Sequence, residues 1–324
     1  MDLLNSRINR RTLGGITVGA AATASFAGLV AAQDATPEVD ADMEATPAGA
    51  SMLADLETVP QVEVVANNNS YAIFQAGENV PGWYVFNLVN ESESDAAFSL
   101  ARLPEGVAVG DFTSFLFQLT SGQLTELPEW LMDVTFAGGT YAPIGETTSA
   151  LVNLEAGEWV GFSDLAVSTQ SVTTIQVSEP VAEEGEAGAT PEVAEAAPQV
   201  APEGFGSTFT VSIADGSIDA DSNLSVGYNI IGVRNDASMA ANFVLIHADE
   251  AVDDAAAADL AASWLAGEDS GAHVDVGMGV ISPDAYGYIE LEAEAGSYVG
   301  FSSVVNASGG TQLEDGAVIV FNVD

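Results

Sequence analysis

Short apolar runs closed by glycine, proline or asparagine recur along the chain from about residue 58 onward. Trp83-Tyr84-Val85-Phe86-Asn87-Leu88-Val89 is rich in aromatic and β-branched side chains and stops at Asn90. Phe98 to Leu103 alternates, then turns at Pro104-Glu105-Gly106; Ser149 to Leu154 alternates and turns at Ala156-Gly157. Helical spacing appears twice. Asp111 caps a run through Leu119 that ends at Gly122, with Phe112, Phe115, Leu116 and Leu119 on one face. Asp253 or Asp254 opens an alanine-rich helix that closes at Gly267, with Leu260, Trp264 and Leu265 apolar. The chain ends in a strand-like run, Val318 to Val323. Short strands, frequent turns and one helix per stretch predict an all-β protein of two tandem Greek-key β-sandwiches, each with one inserted helix.

The pattern is a repeat. Asn90 to Phe98 matches Asn235 to Phe243, and Gly157-Glu158-Trp159-Val160-Gly161-Phe162-Ser163 matches Gly296-Ser297-Tyr298-Val299-Gly300-Phe301-Ser302. Pro143 pairs with Pro283, and Val134 and Phe136 with Val274 and Val276. The motif Ala35-Thr36-Pro37-Glu38-Val39 returns as Ala189-Thr190-Pro191-Glu192-Val193 inside Ala/Glu/Pro-rich tracts without aromatics, which read as extended, solvated linkers. The expected organisation is a leader (1–32), an acidic linker (33–57), a first domain (58–178), a second acidic linker (179–204) and a second domain (205–324).

Composition narrows the chemistry. Hydrophobic residues make up 48% of the 324, enough for two cores. Cysteine is absent, which excludes disulfides, thiolate metal sites and cysteine nucleophiles. Asp and Glu number 48 against five arginines and no lysine. Three of those arginines (Arg7, Arg10, Arg11) lie in the leader, so Arg102 and Arg234 alone face nearly all the acids. Such a surface repels nucleic acid and anionic lipid and suits cations or a basic partner. Self-repulsion also predicts stability that rises with salt, since at about 1 M the screening length falls to roughly 3 Å.

Asn9-Arg10-Arg11-Thr12-Leu13 precedes a weakly apolar stretch, Gly14 to Ala32, interrupted by glycine and threonine. Paired arginines before a modestly hydrophobic segment resemble a twin-arginine export signal, with Asn where Ser or Thr usually stands. Val30-Ala31-Ala32 offers the small-residue cleavage site. The expected location is extracytoplasmic, secreted or at the cell surface, after cleavage near Ala32. An uncleaved membrane anchor is the alternative, though glycine and threonine make the segment a poor span.

From about Tyr71 to Val177, and again from about Phe209 to Val323, the sequence resembles the cupredoxin-like (plastocyanin-like) domains of exported bacterial proteins. The frame consists of Asn90 closing a strand, the turn at Leu103-Pro104-Glu105-Gly106, the helix, Gly138-Gly139, and Gly157 to Ser163. In that family the frame implies a copper site of His, Cys, His and Met. Here the first His position falls at Ala96 or Ala97, and in the second copy at Ala241 or Asn242; the Cys position holds Ser163 and Ser302. No His follows either serine, and Met278 precedes the ligand loop. A type 1 copper site needs a thiolate and imidazoles, so the resemblance implies the scaffold without the electron transfer.

No other motif assigns chemistry. His247 and His273 both lie in the second copy, His247 at the position of Arg102, which argues for a surface polar position; a zinc or copper site built from both histidines and carboxylates is the alternative, although their spacing shows no ligand pattern. Asp219-Ala220-Asp221-Ser222-Asn223 opens like a calcium loop, but Leu224 and Ile230 stand where Gly and Glu are needed, so it reads as an Asx-rich turn. Trp159 aligns with Tyr298 and is expected in the core, whereas Trp130 is expected on an exposed loop. Asn68, Asn90, Asn223 and Asn306 begin glycosylation sequons. No catalytic residue, resident metal or cofactor is expected. The sequence points to a non-catalytic extracytoplasmic binding or structural module. An accessory protein binding Ca²⁺ or another cation through carboxylates is the alternative, with a cation or a cell-surface component as partner.

Overall fold

A computed structural model describes residues 51–324, apart from 57, 69, 76–78, 122, 124–125, 164–171, 180–201, 203–204, 269 and 307–309. The leader, most of the first linker and nearly all of the second therefore lie outside the described residues. The first half holds β1 (Gln61–Asn67), β2 (Ser70–Gln75), β3 (Gly82–Asn90), β4 (Ala96–Arg102), α1 (Val109–Thr120), β5 (Thr135–Ala142), β6 (Thr147–Leu154), β7 (Gly157–Phe162) and β8 (Thr173–Val177). The second repeats the order: β9 (Phe209–Ala214), β10 (Ser217–Ala220), β11 (Gly227–Asn235), β12 (Ala241–Ala248), α2 (Asp254–Leu265), β13 (Ala272–Ile281), β14 (Tyr286–Ala293), β15 (Gly296–Phe301) and β16 (Val318–Val323). The protein is all-β, two Greek-key sandwiches with one helix in each. Strands β3 to β4, β5 to β6 and β6 to β7 cross from one sheet to the other.

The sandwiches are not separate beads. They share two eight-stranded sheets, β10-β9-β11-β14-β6-β3-β1-β2 and β16-β15-β12-β13-β5-β4-β7-β8. Read from the middle outward, each order is the same on both sides once a strand is replaced by its repeat. At the seam β14 pairs antiparallel with β6 (Tyr288 with Leu151, Ile289 with Ala150), and β13 with β5 (Met278 with Thr140, Ile281 with Ala137). Each strand thus meets its own counterpart, the self-complementary arrangement of a two-fold dimer, here within one chain. Edge strands that isolated sandwiches would expose to water become central strands.

One core fills the space between the sheets and runs across the seam. It takes in Phe86, Phe98, Val152 and Trp159 from the first half and Phe243, Met278, Ile289 and Tyr298 from the second. Gly161 and Gly300 make close aromatic packing there feasible: a Cβ on either would come within 2.5 Å of the Phe98 or Phe243 ring. The helices cover the outer face of the second sheet. Phe112, Phe115 and Leu116 of α1 pack with Phe136, Phe162 and Val280, a residue of the second half. Ala257 and Ala261 of α2 pack with Ile246, Phe301 and Tyr141, a residue of the first.

Several local expectations change. Asp253 caps α2, accepting from the backbone of Ala255 and Ala256, but Asp111 is not the cap of α1. It lies inside the first turn and accepts from Ala108 N at 3.1 Å, behind an extended Ala108. Trp130 is not an exposed loop residue. It sits on the 3-10 turn Glu129–Asp133 and packs on Phe112 and Phe115, with ring centroids at 6.3 and 5.6 Å. The last residues of the expected first linker pack on the fold, with Leu53 fully buried against Val85, Leu151, Ile230 and Tyr288. The repeat alignment shifts by two in the fifth strand. Ala101 faces Phe136 where its counterpart Ile246 faces Val274, and the same one-residue bulge follows in both halves, at Ala137 and at Asp275.

Candidate functional site

The six positions where the resemblance places copper ligands lie together at one end of each half. Alternation decides between the neighbouring candidates. Ala96 and Ala241 face the core between the sheets, whereas Ala97 and Asn242 face outward, Ala97 into the cluster of Tyr141 and Val244 and Asn242 toward the chain that follows β15. In the second half this corner is a buried polar network. Ser302 Oγ lies 2.6 Å from Gln312 Oε1 and 3.1 Å from Asn242 Oδ1, and its single proton serves one of them at a time. Asn242 Oδ1 also accepts from Ser303 N (2.8 Å), and Asn242 Nδ2 donates to Tyr141 Oη (2.8 Å) and Ser303 Oγ (2.9 Å). Gln312 Nε2 donates to Ala240 O at 3.1 Å. Neutral amides and hydroxyls here saturate one another, and a metal would have to break that set. In the first half Ala97 is fully buried, its carbonyl accepting from Tyr71 Oη, and Ser163 is also buried. Met278 is buried at the seam and far in sequence from either ligand loop.

The scaffold asparagines explain why the frame survives. Asn90 Nδ2 donates to the carbonyls of Ser94, Ala142 and Pro143, and Asn235 Nδ2 to those of Met239 and Ile281. Each is buried and ties the end of its strand to the neighbouring turn. A buried Asn90 cannot accept a glycan. The calcium-like segment is not a turn throughout: Asp219 and Ala220 end β10, and in the bend beyond them Asp221 accepts from Thr210 N and Asn223 donates to Asn322 O.

A second cluster forms at the opposite end of β12 and β15. His247 stands directly across from both His273 and Tyr298 in the sheet. Its imidazole stacks on the Tyr298 ring (4.5 Å, 7° between planes) and meets the His273 ring edge-on at 5.3 Å. Asp275 is the extra residue of the β13 bulge, between Val274 and Val276, and the bulge brings its Oδ1 to 3.1 Å from His273 Nε2. One donor atom from each of His247, His273 and Asp275 lies within 4.8 Å of the others. Burial pushes the Asp275 carboxyl up, opposed by the two imidazoles and reinforced by Glu146 and Glu294. Asp95, from the first half, is likewise pushed up by burial and drawn down by His273. Burial moves the Tyr298 phenol up to about 12. Sequence spacing misses this cluster because strand pairing and a bulge assemble it; the one legible hint is the alignment of His247 with Arg102.

An open groove of about 190 Å³ crosses the seam between Glu155, Trp159, Ser282, Asp284 and Tyr286. Its lining includes no histidine and no base poised against a hydroxyl. Among the described residues no helix is long and apolar enough to cross a membrane.

No family model and no curated protein matches the chain. Solved structures similar to it include a dithionite-reduced auracyanin from Roseiflexus castenholzii, at 16% identity over 37% of this chain and 99% of that one (TM-score 0.25). Auracyanin A from Chloroflexus aurantiacus, a "blue" copper protein, is 16% identical over 36% and 98% (TM-score 0.25). A multi-copper oxidase from Pediococcus acidilactici is 11% identical over 82% and 59% (TM-score 0.23). The strand pairing above, not these likenesses, defines the fold.

Proposed function

We propose that the protein is a non-catalytic, extracytoplasmic binding or structural module, a pair of fused cupredoxin-like sandwiches that hold no type 1 copper and need no resident cofactor. The observation that carries this reading is the closed Asn242–Ser302–Gln312 network, which occupies the ligand corner with neutral groups and offers no thiolate. A satisfied buried network rigidifies its surroundings, so the corner serves the scaffold. The fused sheets join the two sandwiches into one platform that would present its ends to a partner. Its excess of acids favours a cationic or basic partner at the cell surface over nucleic acid or anionic membrane. The paired Arg10 and Arg11 support export by the twin-arginine route, with cleavage near Ala32.

Two measurements test this. Titration of the purified chain with Cu²⁺ is expected to give no intense blue absorption, and such a band would overturn the copper-free reading. Replacing both Arg10 and Arg11 by Lys is expected to hold the protein in the cytoplasm, and unchanged export would remove the twin-arginine route. The second reading, a cation-binding accessory protein, is favoured by one observation: His247, His273 and Asp275 bring one donor atom each within 4.8 Å of one another.

A further inference from the structure

The two halves treat one position in opposite ways. In the first, Arg102 ends β4, stands over the Trp159 ring at 5.4 Å and pairs with Glu155 at 2.7 Å. In the second, the same position carries His247 on the ring of Tyr298, with Glu294 where Glu155 stands. The permanent cation of the first half is replaced by an imidazole. Acids increase at the same time, because the bulge residue Ala137 of the first half becomes Asp275, and Asp95 and Glu146 approach across the seam. Thr135, opposite Arg102, becomes His273, opposite His247. Each of the three replacements installs a metal donor, and the first of them also removes the cation.

We propose that His247, His273 and Asp275 form a binding site for one divalent transition-metal ion of the zinc or copper(II) class. Two imidazoles and one carboxylate are the donor set of zinc sites that keep a fourth position open, and imidazole selects such ions over calcium. Donors around a tetrahedral zinc stand about 3.4 Å apart; those of this cluster lie within 4.8 Å. His273, with 56% of its side chain exposed, has room to close the difference. His247 is held ready: it stacks on a buried ring, and Gly296 leaves the space its Nε2 occupies, since a Cβ there would come within 2.4 Å. Glu146, Glu294 and Asp95 surround the donors without being needed as ligands, and their field concentrates cations at the site. This site lies at the other end of β12 from Asn242 and Ser302. It is independent of the copper-free reading and adds a ligand class to it.

Calorimetric titration of the full chain with ZnCl₂ tests the assignment, in excess calcium and about 0.15 M salt so that scattered carboxylates are occupied and screened. One saturable zinc per chain is expected. His273→Ala, a largely exposed position, should keep the fold by circular dichroism and weaken zinc at least about tenfold. Gly296→Ala removes no donor but displaces the His247 ring, and should weaken zinc as well. With CuCl₂, electron paramagnetic resonance should show a non-blue centre with nitrogen couplings that His273→Ala reduces. Absence of a saturable zinc site, or wild-type affinity in folded His273→Ala, overturns the proposal. A lost zinc site beside an unchanged, colourless copper corner leaves the copper-free reading intact.

Discussion

The two halves of this protein share a backbone plan and differ in what they do with its two ends. At one end the first half buries Ala97 and Ser163, while the second carries an amide–hydroxyl network built on Asn242 and Ser302. At the other end the first half neutralises itself with Arg102 and Glu155, while the second gathers two imidazoles and Asp275. Polar specialisation is therefore concentrated in the second half at both ends, and the first half is the simpler scaffold. The seam explains how such an asymmetry is tolerated. Packing is continuous through Met278, Ile289 and Leu151, so stability is shared and one half is free to carry buried polar groups that cost more to accommodate.

The sharing is the most breakable part of this comparison. Met278 is fully buried at the seam, against Gly138 and Gly287. Met278→Lys places an unpaired charge there and should cost about 4 kcal/mol or more. Urea unfolding followed by tryptophan fluorescence distinguishes the outcomes, because Trp130 and Trp159 lie in the first half, Trp264 in the second, and Trp83 packs across the seam on Tyr288. One lowered transition common to all is expected. If the first-half tryptophans keep the wild-type midpoint, the halves fold independently and the fused core is wrong. Next in size are Gly161→Ala and Gly300→Ala, each driving a Cβ to 2.5 Å from a buried phenylalanine ring. Overpacking of this kind costs about 1–3 kcal/mol. The two penalties should be similar, and a free substitution at either site would refute the equivalence of β7 and β15.

How much of this was legible beforehand follows from which interactions are local. The strand runs, the cap at Asp253 and the Gly157/Gly296 repeat are short-range patterns, and the structure contains them. The seam is long-range, and a tandem repeat alone does not mark it. A weak trace existed in Ala150, Leu151 and Val152, three consecutive residues that are all fully buried. Such a run marks a strand covered on both faces, in place of the alternation of a half-exposed one. Trp130 misled because a proline-flanked aromatic reads as a loop, and only the position of α1 gives it a surface to lie on. The histidine cluster was hidden for a different reason. His247 and His273 meet through strand pairing, and Asp275 joins them through a bulge, neither of which has a spacing rule in sequence.

The polar corner of the second half can be sharpened by Asn242→Ala. The substitution takes one hydrogen bond each from Tyr141 and Ser302 and two from Ser303. Unsatisfied buried groups of this kind cost about 1–3 kcal/mol. The corresponding position of the first half is already alanine, so the comparison asks whether the second half depends on its network. A lowered thermal midpoint is expected, and an unchanged one would show that Ser302 and Gln312 repack without Asn242.

The smallest effect concerns the outer face of the seam, where one of the differences between the halves is a half-buried carboxyl. Leu151 of β6 has Glu290 as its counterpart in β14. Glu290 Oε2 accepts from Leu53 N at 2.8 Å and from Ser51 Oγ at 3.3 Å, tying the chain entering the first half to the second. Burial still pushes its carboxyl up, outweighing those hydrogen bonds. A carboxyl raised in the folded state binds its proton more tightly there than when unfolded, so its contribution favours folding at low pH. That contribution is lost as pH rises from the ordinary carboxylate value through the raised one. Glu290→Gln keeps an acceptor for Leu53 N and removes the ionisation. Thermal midpoints of the two proteins measured across this range should therefore diverge in favour of glutamine as pH rises. A gap that does not change with pH would mean that Glu290 ionises as freely as a surface acid, and that the entering segment does not shield it.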